Sequence, residues 1–252
     1  MKKIFLILTI ILLPSLIFAQ GKLNNAGDIV KEAQRRLFRD PATISSSDIF
    51  SSSQCFVWLN SAMLDLASEL PADIMPQLMT INTCDVVDQQ ADYSIPRDTI
   101  TGVFLRYVDC ETNLVIISTP VVNYYWTTKI PVEQVRETEL TKVYNPTTTH
   151  PFLYIWNDSI WFIRDSTNSL PSVAPTATVN AGIKLYYIRE PEAVGVDTDE
   201  PEFDKRFYDL LVTGILRRAY EKIKDWESAA AQLKIWDLVV SREYTKIKPP
   251  EK

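Results

Sequence analysis

The sequence predicts an α+β protein: a four-helix bundle, two helices from each end of the chain, with an antiparallel β-sheet or sandwich inserted between them. Three observations carry this. Apolar residues recur every three to four positions from about 25 to 70, the period of a helix with one buried face. From about 80 to 190 the period drops to two, with β-branched and aromatic enrichment. From about 203 the helical period returns. The implied parts are a leader over 1–19, a helical hairpin over 20–79 and a β insertion over 80–190. A helical pair over 191–245 completes the bundle, and 246–252 is a polar, proline-containing tail.

The first helix is expected over 25–39. Ala26, Ile29, Val30, Ala33 and Leu37 lie on one stripe, and Lys31, Glu32, Arg35 and Arg36 on the other. Pro41 and a serine-rich loop end it. Ser51 and Gln54 stand at capping-box spacing before a second helix over 52–69, whose stripe is Cys55, Leu59, Ala62, Met63, Leu66 and Leu70. Pro71 and Pro76 close that helix. "TITGVFLRYVD" reads as a strand with "NLVIIS" as its hairpin partner. "PVEQVRETEL", 131–140, reads as a short helix. "PFLYIWNDSIWFIRD" reads as two aromatic strands around Asn157-Asp158, a pair that tolerates left-handed backbone. "AGIKLYYIREP" is a further strand, ended by Pro191. The last two helices are expected over 203–223, with Phe207, Leu210, Leu211, Gly214, Ile215 and Ala219 inward, and over 226–245. The final one carries Trp226, Ala229, Leu233, Trp236 and Val240, with Asp225 as N-cap.

The leader MKKIFLILTIILLPSLIFAQ has the layout of a secretory signal. Lys2 and Lys3 precede an apolar run from Ile4 to Leu13, Pro14 and Ser15 break it, and Ala19 with Ile17 offers a cleavage site before Gln20. A spanning helix needs about 20 apolar residues, so an uncleaved anchor fits less well. Initiation at the next methionine, Met63, would remove a well-patterned helix.

Composition narrows the function. The net charge is −6; without 1–19, 24 basic residues face 32 acidic ones, giving −8. Such a chain is a poor general binder of nucleic acid, whose affinity rests on Lys and Arg. Three cysteines, Cys55, Cys84 and Cys110, make no disulfide framework. A bond between Cys84 and Cys110 after export stays open, and Cys55 reads as a small buried hydrophobe. His150 is the single histidine, in the turn "NPTTTHPF", with no nucleophile elbow anywhere. Zinc spacing and phosphate-cradling glycine loops are missing. The acidic linker residues Asp197, Asp199, Glu200, Glu202 and Asp204 lack the EF-hand pattern, and carboxylates commonly precede helices. "ILRRAYEKIK" reads as a solvated or subunit-facing helix edge. The hairpin "FLYIWNDSIWFI" reads as one core face and one interface face. No catalytic residue, cofactor, metal or small-molecule substrate is expected.

In order along the chain, several segments resemble head–tail connector (portal adaptor) proteins of tailed phages. "RRLFRDP" and "FVWLNSAMLDLASELP" resemble their N-terminal hairpin, and "YSIPRDTITGVFLRYVD" their entry into the first long strand. "PFLYIWNDSIWFIRDS" and "AGIKLYYIREP" resemble their strand–turn–strand and Tyr-Tyr strand. "DLLVTGILRRAYEKIKDWESAAAQ" resembles their last helices. The resemblance covers about 25–240. It implies a non-enzymatic virion protein assembled in the host cytoplasm. Such a protein forms a ring, commonly of twelve copies, beneath the portal, joins it to the tail or a second adaptor, and lets DNA pass through its lumen. It also implies that 226–252 engages the portal. The leader departs from that family and favours the periplasm or secretion, so the alternative is an exported bacterial binding or surface-assembly protein with a similar fold.

Overall fold

The computed structural model describes residues 23–37, 42, 44–45, 48–86, 92–97, 102–112, 124–135, 150–163 and 179–247. In chain order the elements are α1 (Ala26–Arg36), α2 (Ser52–Glu69), β1 (Met79–Val86), β2 (Asp92–Ser94), β3 (Phe104–Thr112), β4 (Tyr125–Trp126), β5 (Thr128–Lys129), β6 (Phe152–Trp156), β7 (Ser159–Phe162), β8 (Val179–Arg189), α3 (Tyr208–Lys222) and α4 (Trp226–Ile247). The α+β class holds, with four helices and two four-stranded sheets among the described residues. Two compact units result. The described residues up to Glu69 and from Glu192 form a helical unit; Leu70–Pro191 form a β unit.

In the helical unit, α1 begins at Asn25, whose side chain accepts from the Asp28 N–H at 2.9 Å. That satisfies one of the donors a helix start leaves open. The helix ends at Arg36, short of the expected 39. Ser51 Oγ accepts from the Gln54 N–H at 3.4 Å, so the serine half of the capping pattern is realised. The helix α2 buries Cys55, Leu59, Ala62, Met63 and Leu66 as its spacing predicts, and also Phe56, Trp58 and Ala67. Its buried arc is therefore wider than one stripe.

The expected helix start near 203 is replaced by a 3-10 turn, Lys205–Phe207, capped by the Asp204 side chain. The helix α3 then begins at Tyr208 and is touched by each of the other three helices. Gly214 lies where α2 and α4 come closest to it: a Cβ there would stand 2.6 Å from Ala62 Cβ and 3.0 Å from a Trp236 ring carbon. Asp65 of α2 takes Arg218 at 2.6 Å and Arg217 at 3.3 Å. Arg36 of α1 takes Asp209 at 2.6 Å. The Trp236 indole N–H donates to Glu69 at 2.5 Å, and Tyr244 O–H to the Glu69 carbonyl at 2.6 Å.

The turn joining α3 to α4 is a Schellman motif. Asp225 N–H donates to Tyr220 O at 2.9 Å and Lys224 N–H to Glu221 O at 3.1 Å, with Lys224 left-handed at φ 63°. Asp225 also caps α4, accepting from the Ser228 N–H at 3.1 Å; the Ser228 hydroxyl first, and this N–H second, lower its pKa. Of the apolar residues expected inward on α4, Ala229, Trp236 and Val240 are buried, whereas Trp226 and Leu233 are exposed.

In the β unit, one sheet has the order β1-β8-β3-β4 and is antiparallel throughout. The other has the order β2-β7-β6-β5 and is mixed, because β5 runs parallel to β6. The expected insertion, an antiparallel sheet or sandwich, is corrected only in that the second sheet is mixed. Their inner faces meet in one core: Tyr93, Leu153, Ile160 and Phe162 from one, Cys110, Ile183, Leu185 and Tyr187 from the other. Asn157 and Asp158 join β6 to β7 with φ 52° and 63°, both left-handed. That is the type I′ pattern, whose twist matches the strands. The strand β3 pairs with β8 and β4; the expected partner "NLVIIS", 113–118, lies outside the described residues. Over 131–140 only a 3-10 turn, Val132–Gln134, is described up to residue 135, and 136–140 lie outside.

Candidate assembly surfaces

The residues singled out for chemistry are not brought together. Ala19 and Gln20 lie outside the described residues. His150 is exposed just before β6. Cys55, Cys84 and Cys110 are free thiols. Cys84 stands opposite Ile183 and Cys110 opposite Leu185, on the two sides of β8. The two thiols are thus separated by two strand spacings, about 9.6 Å, and a two-residue offset. A disulfide needs Cα atoms within about 4.4–6.8 Å, so the bond is not formed in this register. Burial pushes Cys55 up to about 12 and Cys84 up to about 11, each with a smaller push from a nearby aspartate, and it raises Cys110 as well. Thiols so protonated are poor nucleophiles and metal ligands at neutral pH.

The acidic linker is committed to structure. Asp199 accepts from the Gly195 and Val196 N–H groups at 2.7 and 3.0 Å, which lowers its pKa. Asp197 holds Lys31 at 2.7 Å. Glu202 accepts from the Glu192 N–H at 2.7 Å. The Asp199 and Asp197 carbonyls take the first N–H groups of α1, from Ala26 and Gly27. Among the described residues no group of three His, Cys, Asp or Glu side chains could hold a metal ion. "ILRRAYEKIK" is not a solvated edge at its arginines, since Arg217 and Arg218 converge on Asp65 and Arg217 also meets Glu221 at 3.4 Å.

What the structure does present is apolar and aromatic surface. The hairpin β6–β7 alternates as its sequence predicts. Leu153, Ile160 and Phe162 are buried, while Tyr154 stacks on Trp161 at 6.1 Å on the other face, and the Trp161 N–H donates to the Trp156 carbonyl at 3.2 Å. On the sheet containing β8, the face away from the core aligns Ile81 with Tyr186, and Thr83 with Lys184 and Glu111. Trp126 on edge strand β4 stands opposite Glu111 and 5.6 Å from the Tyr186 ring. Lys184 Nζ sits 3.6 Å over the Tyr124 ring.

On the helical unit the exposed apolar side chains fall into rows. Trp226 (65% exposed) and Leu233 lie along one flank of α4. Ile235 (48%) and Leu238 (53%) lie on the face opposite its buried stripe. On α2, Val57 (56%) and Leu64 (37%) stand outside the buried arc. Of these, Ile235, Leu238, Val57 and Leu64 were not singled out from the sequence, and Trp226 and Leu233 were expected on the buried stripe. The available signal was apolar residues left over once the main stripe of each helix is assigned. Single exposed apolar residues are ordinary; here they fall in pairs along α2 and α4.

No helix of the described residues is long and apolar enough to cross a membrane. Among curated proteins, none matches the chain. A sequence family does match, over residues 24–238, from just before α1 into α4, so both units fall within it. The chain belongs to the SU10 adaptor protein family.

Proposed function

We propose that this phage structural adaptor forms a ring beneath the portal and links it to the tail or a second adaptor, with DNA passing through the lumen. The observation that carries the reading is the family match over 24–238, which takes in the helical and the β unit alike. In this reading the four helices act as one bundle and form the ring body, and 226–252 docks on the portal, Trp226 and Leu233 of α4 supplying exposed apolar contacts. Ring closure uses head-to-tail contacts, in which two different patches of each copy meet. The excess of acidic over basic residues suits a channel through which DNA slides without being gripped. The copy number expected is twelve, and no catalytic residue, cofactor or small-molecule substrate takes part. The test is to mix purified chain 20–252 with the portal of the same phage and image the product by negative-stain microscopy. Added rings on one face of the portal are expected; a chain that stays monomeric and ignores the portal overturns the reading.

The leader favours a second reading, an exported bacterial binding or surface-assembly protein on the same fold. Mature protein recovered from the periplasm or medium and beginning at Gln20 would support it. Full-length chain within particles would remove it.

A further inference from the structure

We propose that the adaptor keeps its leader, and that the apolar run Ile4–Leu13 lies over the exposed apolar side of α2 in the same chain, covering Val57, Leu64 and Val196. This rests on the phage adaptor reading above, in which the chain is not exported and residues 1–19 are not removed. It gives the leader a place in the protein where an address label would have none.

One observation is where the chain enters the fold. The helix α1 starts at Ala26, whose N–H donates to the Asp199 carbonyl at 2.8 Å. The Asp199 N–H donates in turn to the Val196 carbonyl at 3.1 Å. Two residues before Val196, the Val194 backbone exchanges two hydrogen bonds of 2.9 Å with the Asn60 side chain of α2. Residues 1–25 therefore join the protein beside the stretch of linker that is tied to the outer side of α2. Asn60 is three residues from Val57 and four from Leu64, so the three share one side of that helix. Val57 and Val196 are each 56% exposed and Leu64 37%, so three open apolar side chains stand around this tie. The residues between the run and α1, 14–25, can span about 40 Å when extended. The helix α2, with 18 residues, is about 27 Å long, so the run can reach any part of it.

The other observation is complementarity. The leader opens with Lys2 and Lys3 and continues with the apolar run. The linker, 192–204, holds six acidic residues and no Lys or Arg. Lys31 meets Asp197 and Arg206 meets Asp204, while Glu192 and Glu200 of the same stretch are exposed. A basic end joined to an apolar run thus faces an acidic stretch beside an apolar patch, and both attractions act together. Covering α2 here strands no hydroxyl: Ser61 O–H donates to Val57 O at 3.0 Å and Ser68 O–H to Asp65 O at 2.7 Å, within their own helix.

The experiment reads thiol access in the free chain, without portal, so it stands apart from the ring assay. Single variants Val57→Cys, Leu64→Cys and Val196→Cys are made as chain 1–252 and as chain 20–252, with Leu238→Cys of α4 as an exposed control. Labelling with a polyethylene glycol maleimide is timed on a denaturing gel, the parent chain sets the background of the three native thiols, and intact mass shows whether the leader is present. Labelling about tenfold slower at the three positions in the longer chain is expected, the factor given by about 1.4 kcal/mol of cover. No difference is expected at Leu238→Cys, and no dependence on protein concentration. Leu8→Asp with Ile11→Asp in the leader should restore the fast rate. Equal rates in the two chains overturn the contact. So do protection that grows with concentration, protection that survives the two leader substitutions, and a full chain recovered only in membranes or trimmed to Gln20. Rings of chain 20–252 on the portal alongside any of those results leave the ring reading standing. Protected thiols in a chain that forms no rings uphold the contact and overturn the ring reading.

Discussion

Gly214 of α3 is a sensitive point of the helical unit, and Gly214→Ala tests why. In an isolated helix the change is favourable by about 1 kcal/mol, since alanine loses less backbone freedom than glycine. Here the new Cβ would meet Ala62 Cβ at 2.6 Å and the Trp236 ring at 3.0 Å. Carbon pairs prefer about 3.5–4.0 Å, so α2 and α3 must part by about 1 Å. Overpacking of this kind costs about 1–3 kcal/mol. The net expectation is a loss of about 1 kcal/mol, read by chemical denaturation followed through the helical circular dichroism. Ala62→Gly removes the colliding atom. Alone it destabilises by about 1 kcal/mol through helix propensity; in the Gly214→Ala background it should cost almost nothing. The double-mutant cycle should then show a favourable coupling of about 1 kcal/mol. A Gly214→Ala protein that is more stable than the parent, with no coupling to Ala62, would refute the close-packing argument.

Other expectations follow from the same geometry. Lys224→Gly places glycine at the left-handed residue of the Schellman turn and should stabilise by about 1 kcal/mol, measured by the same denaturation. Asn157→Val puts a β-branched residue at φ 52° in the type I′ turn; it should lower the melting temperature, and Asn157→Gly should not. The thiols give an alkaline signature. Cys55 and Cys84 keep their protons in the fold to about pH 12 and 11, against an ordinary value of 9.0. The folded state therefore holds protons that the unfolded chain releases. Stability is fully present below about pH 9 and falls as pH rises toward 11 and 12. Unfolding at a series of alkaline pH values should show this slope, smaller in Cys55→Ala, and native thiols should label slowly with iodoacetamide until the chain is unfolded. Finally, if the leader is processed, intact mass of the mature chain should correspond to a start at Gln20.

Much of the helical unit was legible because its helices bury one face each. Ile29, Val30, Ala33, Leu59, Met63, Leu66, Leu211 and Ile215 all lie where helical spacing puts them. The spacing failed on α4, where Trp226 and Leu233 continue the period yet stay exposed. A helix with apolar residues around much of its circumference has no single stripe to read, and periodicity cannot say which row is buried. In the β unit, the hairpin around Asn157-Asp158 and the strand β8 were readable from alternation and turn chemistry. The strands β4 and β5, with two residues each, are too short to show any period. The strand β1, "MTINTCDV", is largely polar because it is an edge of its sheet, with Met79, Ile81 and Thr83 facing outward. The ion pairs of Asp65 with Arg217 and Arg218 join residues about 150 positions apart, and no local pattern encodes them.

The insertion of the β unit between two halves of the helical unit sets an order of events during synthesis. The helix α2 ends at Glu69 and its main packing partner, α3, starts at Tyr208. At about 5–20 residues per second the ribosome needs on the order of ten seconds to bridge that gap. Throughout it, Leu59, Met63 and Leu66 have no α3 to bury them. The β unit, by contrast, is complete in sequence at Pro191 and can close before the helices do. A nascent chain that stops short of α3 should thus carry a folded β unit and a sticky, unfinished helical hairpin, the form on which chaperones act. The surfaces on α4, made last, cannot recruit a partner until the helical unit has its third helix in place.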